Sequence, residues 1–461
     1  MKSFQVADFN APLQEVDQPT PRPSGTQVLL KVKAAGVCHS DLHIWEGGYD
    51  LGHGRKPLSL KDRGVSLPRT MGHESVGEVL AFGPDATDTA GLKVGDVVLV
   101  YPWLGCGKCE TCLGGDENMC AVKPNAIGVY CDGGYADHMT VPHPKYLIDL
   151  KGLDPVTAAP YACSGVTTYS ALKKVEKDFN TPIVIFGAGG LGLMALSLLK
   201  AMGGKGAIVV DIDARKRDAA MAAGALATVD GKAPDALEQL TKAAGGPIRA
   251  VIDLVGNAAT AQLGFDCLSK GGKLVIVGLF GGGAPWALPL IPIKAATIQG
   301  SYVGNLQELR ELMELVATGA VARIRLGGGS PPDAEWQVSL CLGAHQQHDR
   351  RLPRRRRNWQ AHLHREHADR EAAARFRHRP VGSLRRRLRR AIRHDRHLCD
   401  RRRERRAQAD RALPDRQGLE LGRDRRLRLS RRHRLWREAL AAEPVIGSAI
   451  DVVAGWMCRG C

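Results

Sequence analysis

The sequence predicts an α/β protein in two parts, a β-rich, barrel-like region and a doubly wound parallel sheet, followed by an Arg-rich irregular tail. Short β-rich segments separated by Gly and Pro run from Gln27 to about Leu150. Strand and helix patterns then alternate from about Gly165 to Val303. Beyond about Arg323 the hydrophobic period stops and arginine dominates.

In the first part, VLLKVKAAGV, SVGEVLAF, DVVLVYP and HMTVP read as short strands of a barrel-like sheet. This region also holds CGKCETCLGGDENMC, in which Cys106, Cys109, Cys112 and Cys120 follow the pattern C-x2-C-x2-C-x7-C. Four thiolates so close in sequence can close a tetrahedral shell around one Zn²⁺, with no position left for a substrate. Such a site orders a loop and is structural. Two disulfides or an iron–sulfur cluster are the alternatives, the former disfavoured where no secretory signal precedes the chain. A second set is dispersed: Cys38 in GVCHSDLH, His73 in MGHESVGEV and Cys163 in YACSGVTTY. Two thiolates and one imidazole make a three-ligand zinc site with a free fourth position, the arrangement used for catalysis. Singly each signal is weak, because a lone buried Cys is usually a small apolar residue.

The second part opens on TPIVIFGAGGLGLMALSLLKAMG, which reads as buried strand, glycine turn and helix. Gly187, Gly189 and Gly192 form G-x-G-x-x-G, with Gly190 an extra glycine inside it. They permit a tight turn and let the backbone approach a pyrophosphate at the helix N-terminus. The next strand, from Ala207, ends at Asp211, 19 positions after Gly192. A carboxylate at that distance accepts from ribose hydroxyls and repels a 2′-phosphate, which favours NAD over NADP. PIVIF, AIVVDI, ATVD, AVIDLVG, KLVIVGL and TIQGSYV are the candidate strands. After them NLQELRELMELVATG places Leu309, Leu312, Met313 and Val316 at helical spacing and stops at Gly319. The expected organisation is 1–164 zinc-binding region, 165–303 nucleotide-binding region, 304–322 helix returning toward the first part, and 323–461 tail.

Charge separates the tail from the body. Residues 341–461 hold 34 Arg, no Lys and 14 acidic residues, a net of +20, whereas residues 1–340 are near neutral at −3. The last lysine is Lys294. Such a tail cannot bury much core. Many Arg without Lys, together with loss of period at one point, suggest a shifted reading frame of a GC-rich gene. The rival is a nucleic-acid-binding arm, since dense Arg binds phosphate whatever its origin. No apolar run approaches the ~20 residues needed to span a bilayer, and the N-terminus lacks a leader pattern. The expectation is therefore a cytoplasmic protein with no membrane contact.

GVCHSDLH, GHESVGEV, the four-cysteine lobe, YACSGVT, GAGGLG and Asp211, in this order and spacing, resemble the zinc-containing medium-chain alcohol dehydrogenase family, bacterial NAD-dependent type, over about residues 1–321. The resemblance implies a GroES-like catalytic domain beside a Rossmann domain, one catalytic and one structural Zn²⁺, NAD, a small alcohol substrate and a tetramer. It implies Cys38, His73 and Cys163 as catalytic-zinc ligands, Glu74 close to that metal, and Asp41 orienting the imidazole. Ser40 and His43 fall at proton-relay positions, His39 at a cofactor pyrophosphate contact and Lys216 at a cofactor ribose contact. For Ser40 a helix N-cap, and for His43 a solvated surface position, are the plainer alternatives. Trp45 and Trp103 are placed in the substrate cleft by similarity, with core packing as the alternative. The family's usual ending, of Gly-Arg-x-Val-Leu type, is not visible here. A catalytically impaired relative, or nucleic-acid binding through the tail, are accordingly the alternative functions.

Overall fold

A computed structural model describes residues 1–87, 91–284 and 286–321. The Arg-rich tail, and with it the reading-frame and nucleic-acid expectations, lies outside the described residues.

The β-rich part is built from β1 (Lys2–Val6), β2 (Gln14–Asp17), β3 (Val28–Gly36), α1 (His39–Glu46), β4 (Gly48–Tyr49), β5 (Leu58–Ser59), β6 (Arg69–Thr70), β7 (Glu74–Phe82), β8 (Val97–Val100), α2 (Glu110–Leu113), β9 (His138–Val141), β10 (Leu147–Asp149), α3 (Pro155–Ala158) and α4 (Ser164–Lys173). Its main sheet runs β10-β8-β7-β3-β9, antiparallel throughout, and a smaller sheet runs β2-β1-β6. Val28, Leu30, Val32 and Ala34 of β3 and Val76 and Val79 of β7 are fully buried, as an apolar strand face requires. The register matters for function. Gly36 pairs with Glu74, so the end of β3 meets the start of β7. Cys38 and His73, far apart in sequence, therefore emerge side by side. A Cβ at Gly36 would collide with the Glu74 side chain, which is why this end of the strand carries glycine.

The second part follows as β11 (Ile183–Phe186), α5 (Gly190–Ala201), β12 (Ala207–Asp211), α6 (Ala214–Ala222), β13 (Ala227–Asp230), α7 (Ala236–Ala244), β14 (Ala250–Asp253), α8 (Ala258–Asp266), β15 (Lys273–Ile276), α9 (Leu290–Lys294), β16 (Thr297–Gly300) and α10 (Leu306–Ala317). The strands form one parallel sheet in the order β13-β12-β11-β14-β15-β16. Order reverses between β11 and β14, which opens the crevice where such sheets bind ligands. All four residues of β11 are buried, as a central parallel strand demands.

α10 begins at an Asn305 capping box, in which Glu308 N donates to Asn305 Oδ1 at 2.8 Å and Asn305 N to Glu308 Oε2 at 2.9 Å. It buries Leu309, Leu312, Met313 and Val316, the four residues its period picks out. Glu311 accepts from Lys173 Nζ (2.8 Å) and Tyr169 Oη (3.1 Å) on α4, and Arg310 donates to Lys145 O at 3.0 Å. The boundary drawn after residue 164 falls at the first residue of α4.

Candidate functional site

Three separate elements bring the dispersed ligand types together. Cys38 is the N-cap of α1, His73 immediately precedes β7, and Cys163 joins a 3₁₀ turn (Ala159–Ala162) to α4. Ligand atoms of Cys38, His73, Glu74 and Cys163 all lie within 4.8 Å of one another. The two sulfurs are 3.8 Å apart. That matches the ~3.8 Å edge of a tetrahedron with Zn–S bonds near 2.3 Å. His73 is 1% exposed and its Nε2 has no hydrogen-bond partner in the protein. A buried polar atom without a partner is costly, so its position suits a metal ligand. The donor set therefore fits zinc.

A second ring of groups fixes this set. Asp41 Oδ1 lies 3.2 Å from His73 Nδ1, which turns Nε2 toward the sulfurs. Asp41 Oδ2 accepts from Cys38 N (2.9 Å) and from Tyr135 Oη (2.8 Å). The contact between the two sulfurs holds the Cys38 thiol well below its usual range, against the effect of burial, and the same contact together with burial pushes Cys163 up. Burial works against the protonated His73, but Asp41 raises it. Glu74 is raised by burial and by Cys38.

Around the set stand aromatic rings. Trp103 is 5.3 Å from the His73 ring and 6.1 Å from Tyr302, and its Nε1 donates to Ala162 O. Trp45 is buried as well: it is 3% exposed and Nε1 donates to Ala11 O at 2.6 Å. Burial and a backbone acceptor are common to both indoles, and what marks Trp103 is its ring contact with His73. His43 is buried, 5.0 Å edge-on to His39 and 4.9 Å from Tyr49, with Nδ1 3.5 Å from Glu46 Oε2. The surface alternative for His43 fails. So does the N-cap alternative for Ser40, since Cys38 takes that place and Ser40 lies inside the first turn of α1.

The four-cysteine lobe closes as its spacing predicts. Cys106 to Cys112, Cys109 to Cys112 and Cys109 to Cys120 are 3.9, 3.4 and 3.9 Å apart. All four are free thiols, so disulfides are not formed. Backbone N–H groups of Cys106, Cys109 and Lys123 point at the sulfurs at 3.4–3.5 Å. The lobe is tied down by Glu117, which accepts from Lys145 Nζ (2.7 Å) and Tyr146 Oη (2.6 Å).

In the crevice, Gly187 has φ +97°, a conformation that favours glycine. A Cβ on Gly192 would strike Gly187 O, whereas a Cβ on Gly189 would project into open space. Gly189 is the N-cap of α5 and Gly190 its first residue, so the helix start lies open to an approaching phosphate. This cradle fits a dinucleotide. Asp211 Oδ2 accepts from Ala188 N (2.8 Å) and Oδ1 from Asp213 N (2.9 Å), which ties the end of β12 to the glycine turn. Lys216 is half-buried on α6. Its neighbour Arg217 is the better-fixed cation, donating to Asp211 O at 2.9 Å and pairing with Asp230 at 3.3 Å. His39 stacks on Phe280 at 5.3 Å, so the helix bearing the first ligand touches the nucleotide-binding part. Sequence reasoning missed Tyr135, Tyr49, Tyr302, Phe280, Glu117 and Arg217. None of them carries a local motif.

Two family models match the chain: the alcohol dehydrogenase GroES-like domain over residues 24–152 and the zinc-binding dehydrogenase over residues 190–318. The chain is 39% identical over 323 residues to an NAD-dependent alcohol dehydrogenase of Sulfurisphaera tokodaii, covering 70% of this chain and 90% of that one. It is 37% identical over 332 residues to an alcohol dehydrogenase of Geobacillus stearothermophilus, covering 70% and 91%. Among solved structures it is similar to the alcohol dehydrogenase of Aeropyrum pernix, with 31% identity, a TM-score of 0.61 and coverage of 70% and 91%.

Proposed function

The chain belongs to the zinc-containing medium-chain alcohol dehydrogenase family, and from this premise we propose that it oxidises an alcohol to an aldehyde or ketone with hydride transfer to NAD. The observation that carries the proposal is the convergence of Cys38, His73 and Cys163, with His39 beside them stacked on Phe280 of the nucleotide-binding part. When bound, a zinc ion at these residues would supply Lewis acidity toward the alcohol oxygen and NAD would supply the hydride acceptor.

The chain's own residues do the rest. Cys38, His73 and Cys163 hold the catalytic ion, and Asp41 fixes the tautomer and tilt of His73. Glu74 supplies a buried carboxyl beside the set. Cys106, Cys109, Cys112 and Cys120 hold the structural ion. Gly187, Gly189, Gly190 and Gly192 would receive the pyrophosphate, and His39 would contact it. Asp211 and Lys216 take the adenosine ribose. Ser40 and His43 lie three positions apart on one face of α1 and carry the released proton outward. Trp103 walls the substrate cleft and keeps water from the ligands. We place the enzyme in the cytoplasm as a tetramer. No helix among the described residues is long and apolar enough to cross a membrane.

The test is NAD reduction over primary, secondary and aromatic alcohols, with and without a zinc chelator. Chelator-sensitive formation of NADH is the expected result. Absence of turnover with every alcohol, in zinc-loaded protein, contradicts the proposal.

A further inference from the structure

Asp253 is the last residue of β14 and has no solvent exposure. It stands beside β11, where strand order reverses. A carboxylate in that position needs partners. It has three: Oδ1 accepts from Val255 N and Gly256 N, both at 2.9 Å, and Oδ2 accepts from Thr260 Oγ1 at 2.8 Å. Burial pushes its carboxyl up, and these bonds pull it back. They fold Leu254–Asn257 into a tight turn that feeds α8.

That turn has two outward contacts. On one side, Val255 Cγ2 lies 3.0 Å from where a Cβ on Gly187 would stand, against the first glycine of the phosphate turn. On the other, Val255 O accepts from Phe280 N at 3.2 Å and Gly256 O from Gly281 N at 3.1 Å. Phe280 stacks on His39, and Gly282 N donates to Asp50 O at 3.1 Å. Gly256, at φ +70°, packs so closely on Gly278 that a Cβ would collide with its carbonyl, which leaves the turn little room to shift.

We propose that Asp253 is a positioning residue for the dinucleotide: its carboxylate holds the turn that joins the glycine loop to the Phe280–His39 stack, and so sets the width of the cofactor crevice. The inference rests on the dehydrogenase reading above. Asp253 touches neither the metal set nor the substrate cleft, so its effect is separable from theirs.

The test is the NADH dissociation constant of the full chain, read by nucleotide fluorescence, for wild type, Asp253→Ala, Asp253→Asn and Thr260→Val, with zinc content measured beside it. Asp253→Ala leaves two part-buried N–H groups without their acceptor and is expected to weaken NADH binding about tenfold or more, with zinc content unchanged. Asp253→Asn keeps an oxygen for both N–H groups and is expected to stay within about threefold of wild type. Thr260→Val is expected to fall between. In turnover the loss lies in KM for NAD, with kcat little changed. A folded Asp253→Ala chain that binds NADH as wild type does overturns the inference. Equal impairment of the Ala and Asn variants overturns it too, since a packing role does not distinguish a retained acceptor. If Asp253→Ala does not fold, Thr260→Val decides, and wild-type affinity there contradicts the inference. A wild-type chain that binds no NADH removes the dehydrogenase reading itself.

Discussion

Asp41 links two kinds of function with one side chain. One oxygen faces His73 and the other takes the Cys38 N–H and the Tyr135 hydroxyl. Replacing Asp41 with Asn is expected to lower zinc affinity about 10–100-fold, as loss of an orienting partner does at other metal sites, and competition with a chromogenic chelator measures it. His43→Ala is expected to reduce turnover about 100-fold, the scale of a lost proton-transfer group. Partial recovery in imidazole buffer, and none in a cationic buffer without a free base, checks that assignment. At this scale the sequence was informative where ligand chemistry is local. Cys38, His73 and Cys163 are recognisable by type and neighbours. Tyr135 was not, because its bond to Asp41 spans 94 positions and a tyrosine alone signals nothing. The two tryptophans show the same limit: an indole reads alike whether it walls a cleft or packs in a core, both are buried with Nε1 on a backbone carbonyl, and Trp103 is marked by its contact with the His73 ring.

Elements show which devices stabilise the fold around the sites. In the cysteine lobe, Cys112→Ser is expected to release one of two zinc ions and lower the melting temperature, with the catalytic ion retained; metal analysis beside calorimetry reads both. Glu117 ties the lobe to Lys145 and Tyr146. Burial alone would raise its carboxyl, but the Lys145 and Tyr146 bonds outweigh burial and hold it low. With the folded value depressed, its stabilisation is complete above the ordinary glutamate range near ~4.3 and fades as pH falls through the folded value. Glu117→Gln is therefore expected to flatten the acid limb of stability, measured by urea midpoints between about pH 3 and 6. Asn305→Ala removes the side-chain oxygen that accepts from Glu308 N, keeps the backbone N–H that donates to Glu308 Oε2, and is expected to cost about 1 kcal/mol in a denaturation series. The long strands and α10 were legible because their apolar periods are sustained. Short strands such as β4, β5 and β6, two residues each, were not, because pairing partners rather than local pattern define them.

On the scale of the whole molecule, function depends on two layers of organisation meeting. The antiparallel sheet brings Cys38 and His73 to one end, and the parallel sheet opens its crevice at the β11–β14 reversal. The stack of His39 on Phe280 is where the two parts touch beside the metal set. Order and spacing of the motifs made both parts readable, but not that contact, which depends on how a glycine-rich loop after β15 turns back. For the Arg-rich tail the decisive observation is genetic. Translation of the coding DNA in its other frames past codon 322 is expected to recover a Gly-Arg-x-Val-Leu segment, and its absence from both frames contradicts the reading-frame account. The most direct check on the central claim is zinc content and alcohol-dependent NADH formation measured together in wild type and Cys163→Ser. Two zinc ions with turnover in wild type, and one zinc ion without turnover in the variant, are the expected results. A Cys163→Ser chain that oxidises alcohols at the wild-type rate contradicts it.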